Sequence, residues 1–132
     1  MNSQFEFGPA ENKHFSTLAT YCIVSALALM VYAIANASFL LNVFASGKVA
    51  LMVRTLDDGF STLASFFAAY QLSQASKCFR KIVNTQGNDI RLLNLSSEKL
   101  RLVFASLAVL LMALAVRFIL DFPALMIWIK VA

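Results

Sequence analysis

No Asp, Glu, Lys or Arg stands in residues 15–47, and most positions there are apolar. An uncharged apolar run of about 18 residues or more reads as a membrane-crossing helix, because about 20 residues at about 1.5 Å rise span a hydrocarbon core of about 30 Å. Two further apolar stretches follow: residues 60–76 are uncharged, and residues 102–120 carry only Arg117. No period-two alternation of the kind that builds a membrane β-barrel accompanies them. The pattern predicts an all-α integral membrane protein with three transmembrane helices in a single helical domain.

The punctuation between these stretches sets the expected boundaries. Residues 1–13 are polar and contain Gly8-Pro9, so they form a tail, and residues 12–16 offer capping side chains for the first helix. Its crossing is placed at residues 15–37. The apolar run continues to Ala45, too long for one crossing and too short for two. A segment lying in the far interface, residues 38–56, accounts for the excess. It would bury Phe39, Leu40, Val43 and Phe44 while Lys48 and Arg54 reach the headgroups. A first helix that continues past a bend near Asn36 is the rival geometry.

The second helix is expected over residues 59–85, after Asp57 and Asp58, either of which can cap it. Gln86-Gly87-Asn88-Asp89 is a turn signal: Gly87 suits a helix stop and Asp89 the next cap. The third helix is expected over residues 90–121, about 48 Å, which exceeds a bilayer core. Its first part carries Arg91, Glu98, Lys99 and Arg101 and is too charged for lipid. Helices two and three are therefore predicted to project from the membrane together, as a long hairpin. Phe79, Ile82, Val83, Ile90, Leu93 and Leu100 would fill the seam between them. Pro123 ends or kinks the third helix, and residues 123–132, with Trp128 and Lys130, form an interfacial C-terminus.

Charge orients this arrangement. Three crossings put Lys13, Lys77, Arg80, Lys81, Arg91, Lys99 and Arg101 on one side, seven basic residues, against Lys48, Arg54, Arg117 and Lys130, four, on the other. By the positive-inside rule the N-terminus and the hairpin turn face the cytoplasm. The expected location is a plasma or inner membrane. Residues 1–14 include Glu6, Pro9 and Glu11 and lack a basic leader, so the first apolar run is expected to stay as a span and not to be cleaved as a signal.

Composition agrees with the pattern: 60% of residues are apolar and 14% charged, against about 45–50% and about 25% in soluble domains. The net charge of +4 does not imply nucleic acid, because the basic residues cluster at the ends of apolar segments. Cys22 and Cys78 are expected to be packed or free thiols, with no disulfide framework. His14, the single histidine, gives no metal-ligand pattern, and no cofactor is expected.

Two groups of residues are candidate sites. Asp57 lies 20 residues before Lys77, and Asp121 lies 20 after Arg101. Asp57, Asp58, Arg117 and Asp121 therefore fall at one level near the outer interface, and Arg117 and Asp121 share a helix face. A charge inside a membrane marks a functional candidate with a partner: a gate, an ion path or a subunit contact, or else an interfacial ion pair that locks two helices. The second group is the cytoplasmic surface of Lys77, Arg80, Lys81, Arg91, Lys99 and Arg101. Small residues on helix two (Ser61, Ala64, Ser65, Ala68, Ala69, Ala75) and helix three (Ala105, Ala108, Ala113, Ala115) permit close helix approach. Gln71, Ser73 and Gln74 would bond a neighbouring helix or meet water.

There is no phosphate loop, nucleophile elbow or metal spacing, so no enzyme is expected. The leading expectation is an accessory or scaffolding subunit of a multi-subunit membrane complex. Its partners would be membrane lipid and other membrane subunits or copies of itself, not nucleic acid. The alternatives are a small homo-oligomeric channel lined by the polar side of helix two, and a membrane anchor that recruits a soluble partner through the stalk.

Overall fold

A computed structural model describes residues 7–47, 55–84 and 89–131, with side chains described as far as residue 119. It contains three helices, α1 (Pro9–Ala45), α2 (Leu56–Asn84) and α3 (Asp89–Val131), and no strand among the described residues. α1 and the Asp89–Ile119 part of α3 are long and apolar enough to cross a membrane, with mean hydropathies of 2.1 and 2.5 over their most apolar stretches. Only 22% and 11% of those stretches are buried within the chain, unlike core helices of a soluble protein.

α1 starts earlier than its capping side chains suggest. Pro9 occupies the first turn, where its fixed φ suits a helix and its missing N–H costs nothing. The Asn12 N–H donates to the Gly8 carbonyl at 3.0 Å and opens the helical ladder. The helix then runs unbroken to Ala45, so residues 38–45 continue α1 and are not a separate segment. Ser38 does not divert the backbone, because its hydroxyl donates back to the Ile34 carbonyl at 2.9 Å. The stop is Gly47, whose φ of 67° lies in the left-handed region that glycine adopts without strain. Residues 48–54, with Lys48 and Arg54, lie outside the described residues.

α2 begins at Leu56, so Asp57 and Asp58 stand inside its first turn and not before it. The Gly59 N–H donates to the Thr55 carbonyl at 3.2 Å. Residues 85–88, where the turn is expected, lie outside the described residues, and α3 begins at Asp89. α3 does not stop near residue 121. Its helical backbone passes through Pro123 to Val131, although Pro123 has no N–H to return to the Ile119 carbonyl.

α2 packs against both α1 and α3, and among the described residues α1 and α3 make no close backbone approach to each other. The α1 seam has a period of three and four. Ala19, Cys22, Ala26, Ala33 and Val43 are buried, with half-buried Phe15, Leu29, Asn36 and Leu40 at the intervening positions. That 3.5-residue spacing is the signature of nearly aligned helices with side chains interleaved. Four of the five buried residues are Ala or Cys, which lets the α2 backbone come close. The Ser76 hydroxyl of α2 uses this approach to donate to the Ala19 carbonyl at 2.8 Å.

On α3 the inward side is formed by Ser96, Val103 and Ser106, with Leu92, Leu93, Leu100 and Leu107 partly buried. One seam expectation fails, since Ile90 is 54% exposed. Phe79 is buried in the core cluster and also stacks on Phe15 of α1, with ring centroids 5.9 Å apart. Of the α3 alanines, Ala105, Ala108 and Ala115 are exposed and Ala113 is half-buried, while Ser96 and Ser106 are buried.

Candidate functional site

The first half of the central helix, up to Tyr70, is inverted relative to a helix in water, while its second half buries Leu72, Phe79 and Ile82 and exposes Lys77, Arg80 and Lys81. Asp58, Ser61, Thr62, Ser65, Gln71 and Ser76 are buried, while Phe60, Leu63, Phe67 and Tyr70 are 46–68% exposed. A surface helix of a water-soluble protein turns its apolar stripe inward. Here small and hydroxylated residues face the neighbouring helices and bulky apolar ones face outward. The hydroxyls are satisfied locally. Ser61 and Thr62 donate to the Asp58 carbonyl at 3.0 and 2.7 Å, and Ser65 donates to the Ser61 carbonyl at 2.7 Å. Such back-bonding leaves no unpaired hydroxyl proton in an apolar setting.

The Asp58 carboxylate lies at the start of this polar side and pairs with Arg117 of α3, Nη1 to Oδ1 at 2.5 Å. The Asp58 side chain is 10% exposed and that of Arg117 50%. Two sources of positive charge meet the carboxylate. It stands in the first turn of α2, where the helix dipole is positive, and a guanidinium meets it from the adjacent helix. Asp58 lies 26 residues before Asn84, and Arg117 lies 28 after Asp89, so the pair ties α2 and α3 at the ends far from their connection. Of the four charges expected at this level, the structure brings Asp58 and Arg117 together. Asp57 is half-buried in the same turn. Asp121 lies four residues beyond Arg117 in helical register, with its side chain outside the described residues.

At the other end the basic group is solvent-facing. Lys77, Arg80, Lys81, Arg91 and Arg101 are exposed and Lys99 is half-buried. A third cluster at this end is not foreshadowed by the sequence pattern. The Phe7 N–H donates to Asp89 Oδ2 at 2.8 Å, and Asp89 is 3% exposed with Oδ1 unpaired. The Phe7 and Phe15 rings lie 4.9 Å apart, which links the segment before α1 to the Phe15–Phe79 stack. Phe7, one of two phenylalanines in the tail, is a local signal for it. Gln71, expected to meet water or a neighbouring helix, does neither through its Oε1, which is buried without a hydrogen-bond partner.

Cys22 and Cys78 are free and buried. Among the described residues, no three His, Cys, Asp or Glu side chains are grouped as a metal site. No protein-family model, curated protein or solved structure matches the chain.

Proposed function

We propose that the chain crosses the membrane three times and acts as an accessory or scaffolding subunit of a larger membrane assembly, with other subunits or copies of itself. The observation that carries this reading is the inverted first half of α2. Phe60, Leu63, Phe67 and Tyr70 face outward and Asp58, Ser61, Thr62 and Ser65 face inward. Bulky apolar groups pointing out on all three helices suit lipid or the helices of a partner, and small groups pointing in suit helix–helix contact without water. In this reading α2 and α3 form the long hairpin whose basic end projects into the cytoplasm, and the N-terminus lies on the same side.

The polar side of α2 is occupied by contacts within the chain, so a pore between copies would need another lining. The exposed basic residues from Lys77 to Arg101 favour a second reading, a membrane anchor for a soluble partner. Purification in mild detergent separates these cases. The subunit reading expects defined membrane chains to co-purify at fixed stoichiometry. Self-oligomers that conduct ions in liposomes would replace it with the channel reading. A soluble partner released by charge reversal at Arg80, Lys81 and Arg91 would replace it with the anchor reading.

A further inference from the structure

Leu63, Phe67, Tyr70, Lys77 and Arg80 follow one another at helical spacing along the side of α2 that neither neighbouring helix covers. Leu63, Phe67 and Tyr70 are 68%, 46% and 58% exposed, and Lys77 and Arg80 are exposed as well. The stripe is thus apolar along its lower part and cationic along its upper part. Its length fits one lipid. From Lys77 to Leu63 is 14 residues, about 21 Å of helix axis. One leaflet supplies about 15 Å of hydrocarbon and about 5–7 Å of headgroup. Tyr70, with an apolar ring and a polar tip, stands between the two regions, as aromatic residues do at membrane boundaries.

Neither Lys77 nor Arg80 makes an ion pair among the described residues. Glu98, the acid of the neighbouring α3 segment, is exposed and makes no ion pair with Lys77 or Arg80 among the described residues. Asp89, the other acid there, is buried and accepts the Phe7 N–H. A zwitterionic headgroup brings its own cation and gains little at such a site. An anionic one gains about 1 kcal/mol for each basic residue near the surface.

We propose that this stripe of α2 seats an anionic phospholipid, with its phosphate at Lys77 and Arg80 and its acyl chains along Tyr70, Phe67 and Leu63. The inference rests on the membrane reading above, and its test keeps the two apart. The full-length chain, purified in mild detergent, is titrated with phosphatidylglycerol or phosphatidylcholine against a bound fluorescent lipid. Wild type should prefer phosphatidylglycerol. The Lys77→Gln/Arg80→Gln variant should lose about thirtyfold of that preference, the equivalent of two basic contacts. Arg91→Gln, which removes a charge at the start of α3, should keep it. Inorganic phosphate alone should not displace the probe; displacement by it would overturn the requirement for a lipid. Equal affinity for the two lipids, or full preference retained by the double variant, would overturn the seat. If a poly-glutamate peptide displaces the probe and phosphatidylglycerol does not, the surface fits an acidic protein and the proposal fails. Insertion of wild type and variant into phosphatidylcholine vesicles is followed in parallel. Failure of wild type to insert sinks the membrane reading itself, whereas insertion without lipid preference sinks only the seat.

Discussion

Asp58 and Arg117 are unequal partners. The carboxylate is almost enclosed, and half of the Arg117 side chain is open to the surroundings. Loss of the arginine would leave an enclosed carboxylate without its cation, which is costlier than loss of the pair as a whole. Arg117→Leu is therefore expected to lower stability in detergent by about 2–3 kcal/mol. Asp58→Asn combined with Arg117→Leu should recover part of that loss, as read from unfolding in a double-mutant cycle. Strict additivity in the cycle would mean that the two side chains do not cooperate. Gln71 makes the opposite case. Its buried Oε1 has no partner, and an unpaired buried polar atom costs about 1–3 kcal/mol. Gln71→Met, close in volume, should raise the unfolding midpoint of the isolated chain. A fall would show that the amide is satisfied in solution.

Between α1 and α2, packing depends on residues too small to keep the backbones apart. Ala19, Ala33, Ser65, Ala68 and Ala75 are at most 1% exposed. A larger side chain at such a contact forces the helices apart, at about 1–3 kcal/mol for a well-packed core. Ala19→Leu should approach or exceed the top of that range, because it also displaces the acceptor of the Ser76 hydroxyl. Ser76→Ala removes only the hydrogen bond and should cost about 0.6 kcal/mol, the average for such bonds between membrane helices. Thermal unfolding of the two variants in one detergent checks the order; an equal or reversed effect would contradict the close approach. The small residues of α2 are legible as a contact surface from their spacing alone. Those of α3 are not: Ala105, Ala108 and Ala115 face outward while Ser96 and Ser106 face in. Residue size permits close approach without choosing which of several small faces is used.

At the scale of the molecule, the alternation of helix direction has a measurable consequence. The Ser46 end of α1 and the Asn84 end of α2 lie at opposite ends of the antiparallel pair, and both residues are exposed. If the helices cross a bilayer in the proposed orientation, a membrane-impermeant maleimide applied to intact cells should label Ser46→Cys and not Asn84→Cys. Native background should be low, because Cys22 and Cys78 are both buried. Labelling of both positions from outside would exclude the crossing of α1 and α2 between them. The cluster of Phe7, Phe15, Phe79 and Asp89 belongs to this scale too. It joins residues up to 82 positions apart in sequence, so no local pattern announces it.

The helical class and the apolar lengths of α1 and α3 are legible in the amino-acid order. They follow from local composition and from helix rise, which are additive along a chain. The helix ends are readable only in part. Gly47 stops α1 by a known preference for positive φ, but Asn36, Ser38 and Pro123 carry breaking tendencies that their surroundings override. Packing alone determines which side of α2 faces inward, which acid holds Arg117 and where the segment before α1 docks. The physical reason is that α2 carries both a polar and an apolar stripe. Which of them faces the other helices depends on their surfaces and on the solvent outside, neither of which is written into α2.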